Sequence, residues 1–175
     1  MTQSVELLLD EATDAAVRAQ WDALAAAGLP SQARHTGESN RPHVTLAARR
    51  AIDAALEPAL TDSVSSLPLP VRVGAVACFG RGPYVLVRVL VANRALLELQ
   101  ARVTEALGPD PRTAHHFAPG SWTPHVSLAR RVTADQVGSA LAALGTTPDL
   151  DGRAVACRRW DGDARHEWRL RTAGV

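Results

Sequence analysis

The 175 residues suffice for one ordinary domain or for two small lobes sharing a core, and 46% hydrophobic with 21% charged residues exclude wholesale disorder. The 19 basic and 18 acidic residues leave a net charge of +1, which argues against a broadly basic nucleic-acid coat. Every basic residue is Arg. The absence of Lys excludes a P-loop lysine, a Schiff-base lysine and a lysyl nucleotidyl-transfer nucleophile.

Taken in chain order, Ser4–Leu9 (SVELLL) reads as a strand. Asp10–Thr13 offers helix caps, and Asp14–Ala27 sets Val17, Trp21 and Leu24 on one helical face before Gly28 and Pro30 stop it. A polar loop, Ser31–Arg41, leads to a short alternating strand, His43–Ala47. Ala51–Leu60 predicts a helix interrupted at Pro58. Val71–Phe79 and Tyr84–Val91 are strands flanking the turn Gly80–Pro83. Asn93 caps a helix through Leu107, and Gly108 with Pro109 ends it. Asp110–Thr123 is a polar loop holding His115, His116, Phe117 and Trp122. His125–Arg130 is a second short strand, Thr133 caps a helix over Ala134–Leu144, and Ala154–Trp160 with Glu167–Arg171 form the last strand pair.

These elements repeat. Pro42–Arg49 reads PHVTLAAR and Pro124–Arg131 reads PHVSLARR, identical at six of eight positions and 82 residues apart. AVAC occurs at Ala75–Cys78 and again at Ala154–Cys157, 79 residues apart. Each half runs strand, helix, HVTL-type strand, helix, strand. The expectation is a single α+β domain over residues 1–175, built as two pseudo-symmetric lobes of antiparallel strands, about 1–80 and 81–175, with helices outside and a central cleft.

Strand alternation puts His43 and Thr45 on one face and Val44 and Leu46 on the other; His125, Ser127, Val126 and Leu128 divide the same way. If the lobes face each other, two imidazoles and two hydroxyls converge. That set suits a phosphodiester: a neutral imidazole takes a proton from the attacking oxygen, an imidazolium protonates the leaving oxygen, and the hydroxyls donate to the non-bridging oxygens. No metal is called for, and neither motif has metal-ligand spacing.

The paired motifs HVTL (His43–Leu46) and HVSL (His125–Leu128) resemble those of the two-histidine (2H) phosphoesterase superfamily, and HVSLAR is similar to its 2′-5′ RNA ligase and RNA 2′,3′-cyclic phosphodiesterase branch. The resemblance spans essentially the whole chain. It implies a bilobed fold and metal-independent opening of 2′,3′-cyclic phosphates to 2′-phosphates, with reversible 2′-5′ ligation in some members. It also implies that His43 is the proton donor and His125 the acceptor, a polarity that the near-identical motifs do not themselves distinguish. Ser127 departs from the commoner Thr but keeps the hydroxyl.

Secondary candidates follow. Arg49 and Arg131 recur with the motif and, in regular strands, share the histidine face. They are candidates for a phosphate, weighed against solvated arginines as the plainer reading. Trp122, Phe117 and Tyr84 could stack a base, with ordinary packing the plainer reading. His35, His115, His116 and His166 read as surface residues, and Cys78 and Cys157 as buried thiols. The opening MTQSVELLLDEATDAA lacks the pattern of a secretory leader, and no apolar run reaches the length of a membrane span. A cytoplasmic monomer without cofactor is expected, its partner a small cyclic nucleotide or an RNA terminus. Two other readings keep the site: a different small cyclic phosphate of ADP-ribose type, or a non-catalytic module that binds nucleotides or RNA ends.

Overall fold

In the computed structural model, which describes residues 2–170, the repeat appears as two successive strand–helix–strand–helix–strand units. The first comprises β1 (Gln3–Leu9), α1 (Glu11–Ala26), β2 (His43–Arg49), α2 (Glu57–Ser63) and β3 (Leu69–Phe79). The second comprises β4 (Tyr84–Leu90), α3 (Arg94–Leu107), β5 (His125–Val132), α4 (Ala134–Leu144) and β6 (Leu150–Asp161). A last strand, β7 (His166–Leu170), follows; Arg171, the predicted end of that strand, lies outside the described residues.

The helix ends follow local chemistry. The Asp10 carboxylate accepts from the Thr13 amide at 2.9 Å, so α1 starts at Glu11, three residues before the apolar periodicity begins. Asn93 caps α3 through the Leu96 amide, and Thr133 with Gln136 forms a capping box on α4. Gly108 and Gly145, at φ 68° and 60°, take the left-handed turns that end α3 and α4. The predicted helix over 51–60 divides into a 3₁₀ turn, Ala54–Leu56, and α2, with Pro58 tolerated in the first turn of α2.

Gly152 shows how tightly α1 is seated. A Cβ there would overlap Thr13 Oγ1 and lie 2.8 Å from Asp10 Oδ2, inside the cap itself. Gly152→Ala is therefore expected to destabilise the fold by about 1–3 kcal/mol, as a lower midpoint in urea unfolding. An unchanged midpoint would show that the cap can move aside.

All strand pairings are antiparallel, in the order β2-β1-β6-β3-β4-β5, with β7 on β6. The pairing does not follow the two sequence halves. β3 lies against β4, and β6 lies against β1, so the third strand of each half sits beside the first strand of the other. The two groups join where Leu69–Val73 of β3 pairs with Leu150–Ala154 of β6.

Both motif strands carry the same irregularity. Val5 pairs with Ala47 and Glu6 with Thr45, leaving Leu46 as the extra residue; Leu86 pairs with Ala129 and Val87 with Ser127, leaving Leu128. Val44, Leu46, Val126 and Leu128 are fully buried in one core with Val17 and Leu24 of α1 and Leu96, Leu99 and Val103 of α3. The AVAC echo does not survive in this frame. Thr45 is opposite Glu6, which pairs with Arg158, while Ser127 is opposite Val87, which pairs with Ala77. Position 158 therefore corresponds to 77, and the two AVAC segments are out of phase by two residues.

Candidate active site

His43 and His125 open β2 and β5 and are held alike. Nδ1 of His43 is 2.8 Å from the Arg41 carbonyl, and Nδ1 of His125 is 2.8 Å from the Thr123 carbonyl. A carbonyl only accepts, so Nδ1 must carry the hydrogen, and Nε2 is the nitrogen left for chemistry on both rings. Pro42 and Pro124 stand between each histidine and its carbonyl. Proline keeps the preceding residue extended and so presets that carbonyl. Both histidines, Thr45 and Ser127 line one cleft, together with Glu6, Phe79, Trp122, Arg130, Arg158 and Trp160.

The two rings meet different surroundings. His43 Nε2 is 3.7 Å from Oε1 of Glu6, a carboxylate only 5% exposed. Burial pushes the Glu6 carboxyl up, but the charges of His43 and Arg158 and the bonds from Ser4 and Arg158 outweigh it, and its pKa falls below the ordinary value. His125 packs edge-on against Phe79, with centroids 4.9 Å apart and planes at 79°. Burial lowers its pKa, and the positive neighbours His43, His116 and Arg130 add to the effect; the Thr123 carbonyl acts in the opposite direction.

The sequence pattern of the 2′-5′ RNA ligase superfamily matches residues 13–164. The chain belongs to this family. Among solved structures it resembles Usb1 from Kluyveromyces marxianus, at 15% identity over 98% of each chain with a TM-score of 0.58. It also resembles E. coli LigT in complex with 3′-AMP, at 15% identity over 95% of this chain and 91% of that one with a TM-score of 0.53. A third is TT0787 of Thermus thermophilus, at 17% identity over 99% of this chain and 100% of that one with a TM-score of 0.50. At these identities the likenesses establish a shared fold, that of the 2H phosphoesterases. No curated protein sequence matches the chain significantly.

Within this family frame, the expected residues divide. His43, His125, Thr45 and Ser127 come together in the cleft. Each hydroxyl-bearing residue is braced by an indole from the other half: Trp21 Nε1 donates to the Ser127 carbonyl at 2.9 Å, and Trp122 Nε1 to the Thr45 carbonyl at 3.0 Å. Trp122 borders the cleft but is only 7% exposed, so its main contact is this brace rather than an open stacking face.

Among the described residues, Arg49, Arg131 and Tyr84 do not line the cleft. The bulges at Leu46 and Leu128 are the reason for the arginines: one extra residue reverses the alternation beyond it. Arg49 turns instead to the end of α3, where its guanidinium donates to the Leu107 carbonyl at 2.7 Å and to the Gly108 carbonyl. Arg131 is exposed at φ 60°, and Arg130 takes the cleft position. Tyr84 packs over the Gly82 turn and against the core. His35, His116 and His166, read as surface residues, border the cleft, as does Phe117. Cys157 is fully buried, its thiol pushed up to about 12 by burial, whereas Cys78 is exposed at the cleft wall rather than buried.

Glu6, Phe79 and Arg158 join the site from outside the PHVTLAAR/PHVSLARR repeat, and Arg130 joins it from a position where the two copies differ. The available signal for Glu6 and Arg158 is a charge inside an apolar strand run, SVELLL and AVACRRW.

No helix among the described residues is long and apolar enough to cross a membrane.

Proposed function

We propose that this cleft opens 2′,3′-cyclic phosphates of RNA ends or small nucleotides to 2′-phosphates. The observation that carries the reading is a pair of imidazoles in one cleft, each held at Nδ1 by a backbone carbonyl, with His43 Nε2 beside the Glu6 carboxylate and His125 among positive neighbours. His125, disfavoured as a cation, takes a proton from water as the water oxygen bonds to phosphorus. The bond from phosphorus to the 3′ oxygen breaks, and His43 Nε2–H protonates that oxygen. The product keeps the phosphate on the 2′ oxygen. Thr45 and Ser127 donate to the non-bridging oxygens, where charge accumulates. A 5′-hydroxyl in place of water would yield a 2′-5′ linkage by the same proton transfers. Nucleotides in related structures, 3′-AMP in LigT and uridine monophosphate in Usb1, support a ligand of this size.

Incubation with 2′,3′-cyclic nucleotides in EDTA is expected to release 2′-phosphates. A 3′-phosphate product would reverse the assignment of the leaving oxygen, and no turnover would leave binding without chemistry.

The pH profile tests the base. A general base must be neutral, so kcat/KM rises with pH through the pKa of His125. Because that pKa lies below the ordinary 6.5, the acidic limb is expected below pH 6.5. Arg130→Gln removes a neighbouring positive charge and should move the limb upward. A limb at 6.5 or higher that Arg130→Gln leaves in place would overturn the assignment.

A further inference from the structure

The repeat relates the two histidines, yet the strands beside them differ. Opposite Thr45 stands Glu6; opposite Ser127 stands Val87. One strand further, Glu6 pairs with Arg158, and Val87 with Ala77. Beside the His43 strand there is thus a buried ion pair where two small apolar side chains stand beside the His125 strand.

The pair is tightly built. Glu6 Oε2 accepts from Arg158 Nε at 2.8 Å, with the side chains only 5% and 4% exposed. Glu6 Oε1 accepts the Ser4 hydroxyl at 2.5 Å and lies 3.7 Å from His43 Nε2. Arg158 also donates to Glu167, whose other oxygen is 3.5 Å from Arg41. Two carboxylates and two guanidinium groups balance, so a proton on His43 meets a neutral cluster through its nearest carboxylate oxygen. The largest charge effects on His125 come from His43, His116 and Arg130, all of them bases.

We infer that Glu6, fixed by Arg158, breaks the pseudo-symmetry of the site and decides which of two near-identical histidines holds the proton. Glu6 acts through His43 and is a positioning residue. The kinetic consequence rests on the acid–base reading above, but the protonation pattern can be read without turnover.

Two measurements test it. Nitrogen-15 histidine NMR of the unaltered protein, followed across pH, should show the ring beside Glu6 taking up its second proton before the His125 ring does as the pH falls. In Glu6→Gln, which still offers an oxygen to Arg158, that order should be lost. With cyclic nucleotide as substrate, Glu6→Gln should lower kcat about tenfold on the alkaline side and move the alkaline limb down by about one pH unit. The acidic limb and KM should stay in place, and Glu6→Asp should recover part of the loss.

The inference is overturned if the two rings of the unaltered protein take up their second protons at the same pH, or the His125 ring first. It is also overturned if a Glu6→Gln variant with a native melting curve keeps the order of protonation and both limbs. Should Glu6→Gln fail to fold, the spectrum of the unaltered protein still decides. Should the unaltered protein fail to open cyclic nucleotides, the proposed function falls and the spectrum decides this inference separately.

Discussion

His125→Ala is expected to lower the rate of cyclic phosphate opening by about 10²–10⁴-fold, the usual contribution of a positioned general base. His43→Ala should cost a comparable factor through loss of the general acid. In the proposed reaction both rings serve one bond-making and bond-breaking event, so the double variant should lose far less than the product of the single losses. Neither substitution should unfold the protein. The two rings border the cleft and each is tied to its own strand end by one bond from Nδ1 to a carbonyl, while the core residues Val44, Leu46, Val126 and Leu128 stay in place. The check pairs steady-state rates with thermal melts. A His125→Ala protein that turned over cyclic nucleotide at the unaltered rate would sink the mechanism.

The largest stability loss is expected at Arg88→Ala. Arg88 is fully buried in β4, and its guanidinium donates to the carbonyls of Gly74 at 2.5 Å, Val73 at 3.2 Å and Pro148 at 2.9 Å. Val73 and Gly74 lie where β3 leaves β6 for β4, and the ladder slips between Val73 and Val76. The side chain thus bonds backbone carbonyls at the point where the ladder slips. Removing it strands three acceptors at a net cost of about 1 kcal/mol each and leaves a cavity besides. A loss of at least about 3 kcal/mol follows, or a fall in Tm of about 6–12 °C for a chain of this size. Arg88→Leu should also be less stable, because Leu restores volume but donates nothing. A Tm within about 2 °C of the unaltered protein for both variants would show that water replaces the guanidinium.

Local pattern carried the reading of this chain wherever the cause was local. Asp10, Asn93 and Thr133 cap helices because a short side-chain oxygen beside a free amide needs no distant partner. The two HxTx or HxSx strands were legible because alternation decides which side chains share a face, and the repeat singles them out. The same rule failed at Arg49 and Arg131. A bulge is a property of two strands in register, and nothing within HVTLAAR announces one. The strand order was equally hidden, since β1 beside β6 joins residues more than 140 positions apart. Glu6 and Arg158 were missed for the same reason: each is anomalous alone in an apolar strand, and only their pairing makes them a site.

The exchange of third strands has a consequence for how such a molecule could arise. Within residues 1–80, β3 has neither of its neighbours, because β4 and β6 both come from the other half. One half alone would be left with an open sheet edge, the form that invites pairing with another chain. Two copies of one half would each supply the strand the other lacks, as a strand-swapped homodimer with one histidine motif per subunit. Fusion of those copies through the short Gly80–Pro83 link would preserve that assembly in a single chain. Once fused, two such motifs would be free to diverge, and a carboxylate on one side alone would become possible.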